Sequence, residues 1–129
     1  MVQGRGKPDD AAGKALAMKE SEDKSMKQII EGKSYNTEIA SKLASARNPS
    51  APYSNDFHYW SESLYRTKSG TYFLAGEGGP MSSWAEKTGQ NEWSGGSGIR
   101  TKTEAEAREW VESWANDQYE AIFGPALEA

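Results

Sequence analysis

The sequence predicts a small α+β fold: an antiparallel or mixed sheet of three or four strands with two or three packed helices. Two stretches and one gap carry this. Residues 59–75 read YWSESLYRTKSGTYFLA, two runs rich in aromatic and β-favouring residues around Lys68-Ser69-Gly70, which is a β-hairpin pattern. Residues 103–114 read TEAEAREWVESW, where Thr103 and Glu106 form a T-x-x-E capping box and Ala107, Trp110, Val111 and Trp114 fall on one helical stripe. The chain has five Trp, six Tyr and three Phe, none of them before Tyr35, so the core is built downstream.

Residues 1–25 are rich in Gly, Lys, Asp, Glu and Ala and hold no aromatic anchor, which predicts a flexible N-terminal extension. Met26 begins the domain, expected to run over 26–124, with 125–129 as a short C-terminal tail. Gln28 to Glu31 is a short strand around Ile29 and Ile30, ended by Gly32, after which Tyr35 folds back onto the core. Asn36 or Thr37 then caps a helix whose stripe is Ile39, Ala40, Leu43 and Ala44, stopped at Asn48-Pro49. The next stretch, NPSAPYSND, is turn-forming by composition.

A three-residue hairpin loop places its third residue at positive φ, where Gly70 has no Cβ to clash. Register follows: Tyr65 faces Phe73 and Ser63 faces Ala75, while Leu64 meets Leu74 and Arg66 meets Tyr72 on the other face. Tyr65 and Phe73 are assigned to the buried face, which leaves Arg66 and Tyr72 on a wetter one. After Gly78-Gly79-Pro80, Ser82 or Ser83 caps a short helix carrying Trp84 and Ala85 and ending at Gly89. Gln90 to Gly98 reads as a polar, glycine-rich loop containing Trp93, and Ile99 to Lys102 as a further strand. The last helix ends or kinks at Asn116-Asp117, continues through Tyr119, Ile122 and Phe123, and stops at Gly124-Pro125. The expected order is β-α-β-β-α-β-α.

Composition narrows the chemistry. With no cysteine in the chain, thiolate nucleophiles, disulfides and sulfur-ligated metals are excluded. No apolar run approaches the ~20 residues a membrane helix needs, and no signal-peptide h-region is present, which reads as cytoplasmic. The glycine clusters at 76–79 and 95–98 fit neither dinucleotide nor P-loop spacing, and no metal or cofactor motif occurs, so no cofactor is expected. His58, with Asp56 two residues earlier, is the one acid–base pair a minor enzymatic reading can use.

Charge is unevenly placed. Of a net −4, residues 103–129 hold seven acidic side chains against Arg108 alone, while 26–102 hold nine basic against seven acidic. A row of carboxylates on a rigid helix imitates a phosphate backbone and suits a basic protein groove. The candidate partner-binding surface therefore gathers Arg66 and Tyr72 on the wetter hairpin face, Glu77 at the hairpin exit, Trp93, and Glu109, Glu112 and Asp117 on the last helix. The alternative is a small nucleic-acid-binding regulator, stacking bases on the sheet aromatics beside Arg66, Lys68, Arg100 and Lys102.

The segments IIEGKSYNTEIASKLAS, LYRTKSGTYFLAGEGGPMSSWAE and GGSGIRTKTEAEAREWVE resemble a group of small uncharacterised phage and mobile-element proteins sharing a hairpin of the form LYRT..G.(Y/W)FL.GEGG. The resemblance spans about residues 28–123 and carries over no catalytic residue. It implies a non-enzymatic accessory protein in a bacterial host cell, binding a bacterial protein and plausibly inhibiting a nucleic-acid-targeting defence complex such as CRISPR-Cas, in the manner of anti-CRISPR proteins.

Overall fold

A computed structural model describes residues 25–51 and 53–129. The expected extension at 1–25 falls almost wholly outside them. Eight strands come first: β1 (Lys27–Ile30), β2 (Lys33–Asn36), β3 (Ser41–Arg47), β4 (Trp60–Arg66), β5 (Tyr72–Gly78), β6 (Glu86–Gly89), β7 (Glu92–Ser94) and β8 (Gly96–Lys102). Helix α1 (Glu104–Trp114), a 3-10 turn (Asn116–Gln118) and helix α2 (Tyr119–Phe123) follow. The class is α+β as expected. The expected order is not what forms, because two segments read as helices are not helical.

The hairpin forms in the expected register. Leu64 pairs with Leu74, Tyr65 with Phe73 and Arg66 with Tyr72. Gly70 closes the loop at φ 97°, and its N–H donates to the Thr67 carbonyl at 2.9 Å. A Gly70→Val variant is expected to lose about 1–3 kcal/mol, because a β-branched residue is strained at that φ. Chemical denaturation reads the loss, and an unchanged midpoint would show that the loop relaxes without strain.

The first expected helix survives as a single turn. Asn36 does cap it: its Oδ1 accepts from Glu38 N at 2.9 Å, and Ala40 N reaches the Asn36 carbonyl at 3.1 Å. The chain then extends into β3 and pairs antiparallel with β4. Short runs such as SKLASAR carry no decisive period, and hydrogen-bonding the outer edge of β4 outweighs their helix propensity. A register shift between Lys42 and Ala44 leaves Leu43 unpaired, and Leu43, Ala44 and Ala46 all join the cluster beneath α1. Ile39, assigned to the buried stripe, is 62% exposed.

The four-stranded sheet has the order β3-β4-β5-β8 and is antiparallel throughout. Both faces are covered. On one, Ala44, Leu64, Tyr72 and Leu74 pack against Ala107, Trp110, Val111 and Ala115 of the helical segment. On the other, Tyr65, Phe73, Ala75 and Ile99 pack against Tyr35 from the β1-β2 hairpin, with Met26, Ile30 and Ala40 at the margin. The wetter face assigned to Tyr72 is therefore incorrect. Tyr72 is 8% exposed, because α1 and Phe123 lie over it.

The second expected helix is replaced by a turn and a two-stranded ribbon, β6-β7. Ser82 makes local bonds that compete with a helix: its hydroxyl donates to the Gly79 carbonyl at 2.8 Å and accepts from Trp84 N at 3.1 Å. The stretch read as a loop, Gln90 to Gly98, contributes β7 and the start of β8. At the C-terminal end the sequence reading holds. Thr103 and Glu106 complete the capping box, the chain kinks at Asn116, and Gly124 ends α2 at φ 90°.

Candidate functional site

The residues assigned to a partner surface do not form one patch. Arg66 and Glu77 lie at opposite ends of the hairpin, since Arg66 pairs with Tyr72 and Glu77 with Ser61, and strand alternation puts them on opposite faces. Arg66 is exposed, with its guanidinium 5.7 Å from the centre of the buried Tyr72 ring. Glu77 is half-buried, lining a cavity of about 510 Å³ with Asp56, Tyr59 and the glycines at 78–79 and 95–96. Trp93 stands elsewhere, on β7, 55% exposed and cross-strand from Lys87.

Glu112 and Asp117 line one surface depression, and Glu109 is exposed three residues before Glu112 on α1. Ala107, Trp110 and Val111 anchor α1 to the sheet, so Glu109 and Glu112 point away from it, and the kink at Asn116 carries Asp117 alongside. Glu112, Asp117 and Glu120 line a depression of about 770 Å³ with Arg108 and Tyr119. Arg108 is already engaged there: its Nη2 lies 2.6 Å from Glu104, its Nη1 donates to the Tyr119 hydroxyl at 2.9 Å, and its plane rides 4.6 Å from the Phe123 ring centre. The bond from Glu104 first, then that from Tyr119, raises its pKa further, so it stays charged. No ion pair among the described residues reaches Glu109, Glu112 or Asp117.

The basic and aromatic groups of the nucleic-acid reading are differently placed. Tyr65, Tyr72 and Phe73 are buried. Arg100 stacks on Trp84, 3.7 Å from its ring centre, and donates to the Ser83 hydroxyl and carbonyl. As for the acid–base pair, His58 Nδ1 is 3.7 Å from Asp56 Oδ1, beyond hydrogen-bond reach, and Asp56 instead accepts from the His58 backbone N–H at 2.7 Å. Among the described residues no cluster of acidic or histidine side chains is placed to hold a metal, and no helix is long and apolar enough to cross a membrane.

The sequence reading missed Glu62, a carboxylate shared by two indoles. On the helix-facing side of β4, its Oε2 accepts from Trp84 Nε1 and its Oε1 from Trp110 Nε1, each at 2.8 Å. Both indoles are buried, so one carboxylate ties α1 and the turn before β6 to the sheet. Trp84 fits there because Gly76, on β5 beneath it, has no side chain. A Cβ at Gly76 would come within 2.6 Å of the indole Cε2. A legible signal existed: Glu62 falls on the same strand face as buried Leu64, and buried indoles need acceptors. Beside Glu62, Trp60 and Trp114 meet edge to face at 4.8 Å and 79°, at the wall of a cavity of about 350 Å³.

No protein family, curated protein or solved structure matches this chain.

Proposed function

We propose that this protein is a non-catalytic binding protein whose acidic edge, Glu109, Glu112 and Asp117, docks into a basic groove on a bacterial protein. The supporting observation is that these carboxylates are exposed, Glu109 and Glu112 on a helix anchored by Ala107, Trp110 and Val111 and Asp117 on the 3-10 turn after it, and have no ion-pair partner among the described residues. Unpaired like charges on a rigid element are poor for the free protein and complementary to a surface built for phosphate. With the mobile-element resemblance, the favoured partner is a nucleic-acid-targeting defence protein, inhibited by occupation of its nucleic-acid channel. Burial of the sheet aromatics supports this over the regulator reading, because base stacking needs accessible rings.

The test is capture from bacterial lysate by the intact chain and by a Glu109→Lys/Glu112→Lys variant. The variant is expected to keep its circular dichroism and melting temperature, since exposed charges contribute little to stability. It is expected to bind the captured protein roughly tenfold more weakly or worse, and wild-type binding is expected to fall as salt rises. Unchanged capture by the variant would remove the acidic edge from the function. Tighter nucleic-acid binding by the variant would favour the regulator.

A further inference from the structure

We propose that the cavity between β4, the turn before β6 and the end of α1 binds an alkylated ammonium group. The site uses none of Glu109, Glu112 or Asp117, so it stands or falls separately from the acidic edge. Trp60, Trp114 and Glu62 line it together with Asn48, His58 and Met81. Two indoles at 79° make a corner, and a rounded alkylammonium touches both rings where a flat group would stack on one. Indole faces carry negative quadrupole density and are the strongest aromatic partners for a cation.

The carboxylate supplies the charge. Each Glu62 oxygen takes one indole N–H, whereas an ionised carboxylate has about four acceptor positions, so each oxygen of this cavity-lining carboxylate keeps acceptor capacity. Its hydrogen-bond partners here are neutral, and no ion pair among the described residues compensates it. No lysine or arginine lines the cavity. Arg100, the cation on the adjoining side of Trp84, is directed to Ser83. A partly buried carboxylate without a counter-charge gains most from a cation brought against it. Exposure points to the same place, since Trp114 is 47% and Met81 61% exposed, large apolar surface on the lining of one small cavity.

The probe is choline, compared with its uncharged isostere 3,3-dimethylbutan-1-ol, titrated into the full chain and followed by tryptophan fluorescence and indole N–H chemical shifts. Choline is expected to saturate, and the neutral isostere to bind about tenfold more weakly. Trp114→Leu removes a half-exposed wall and is expected to fold normally while losing choline binding by a similar factor. A peptide bearing trimethyl-lysine, tested alongside, distinguishes a free small cation from a modified side chain; tighter binding of either one supports the site and identifies the source. Equal binding of choline and its isostere, undiminished choline binding by folded Trp114→Leu, or no saturable response to any cation would overturn the proposal.

Discussion

Phe73→Ala is expected to remove about 3–5 kcal/mol of stability, a large share of the ~5–15 kcal/mol that holds a typical domain. Phe73 is 0% exposed and sits between two rings. Tyr65 stacks on it at 5.2 Å with planes 10° apart, and Tyr35 meets it edge-on at 5.5 Å. Truncation therefore removes both the burial and two aromatic contacts, of which the one with Tyr35 links the β1-β2 hairpin to the sheet. Tyr72→Ala, at a residue the sequence assigned to the wetter face, is expected to approach the same range. Its ring is packed with Leu64, Leu74 and Val111 and lies 6.0 Å from Phe123. Urea denaturation of both variants, with m-values compared, measures this. A Tyr72→Ala loss below about 1 kcal/mol, the size typical of minor substitutions, would restore the wetter face.

The second large effect belongs to Glu62. Glu62→Leu leaves two buried indole N–H groups without their acceptor, and each orphaned donor costs about 1–3 kcal/mol. Glu62→Gln is expected to cost less, because the amide oxygen retains one indole while the amide nitrogen opposes the other. The causal test is Trp110→Phe in the Glu62→Leu background. Phenylalanine has no N–H to orphan, so the double variant is expected to lose less than the sum of the singles. Strict additivity would mean that the indole and carboxylate do not interact energetically. Gly76→Ala probes the same seat from beneath, forcing Trp84 from its place over the sheet, and is expected to cost about 1–3 kcal/mol as overpacking.

The residues of the stretch LYRTKSGTYFLAGEGG acquire a physical meaning in this setting. Leu64, Tyr65, Phe73 and Leu74 fill the two cores on either side of the sheet, and Gly70 turns the hairpin. Gly76 makes room for Trp84. That motif describes how the sheet is built and covered. The residues proposed to recognise a partner lie outside this hairpin stretch, on α1 and the 3-10 turn.

The sequence by itself determined the features whose cause is local. Loop length and Gly70 set the hairpin register, Thr103 and Glu106 set the start of α1, Asn36 capped a turn, and the charge bias put the acidic residues on the C-terminal helical segment. Tertiary structure decided where the chain's own preferences were nearly balanced. Residues 41–47 became a strand because β4 offered an edge to pair with. Both hairpin faces became core because α1 docks on one and Tyr35 on the other, which buried Tyr72. Glu62 acquired its role only when Trp84 and Trp110, far from it along the chain, were brought to its two oxygens. A cap or a turn is satisfied within a few residues and can be read there, whereas a cross-strand edge, a covered face or a shared acceptor exists only after distant segments meet.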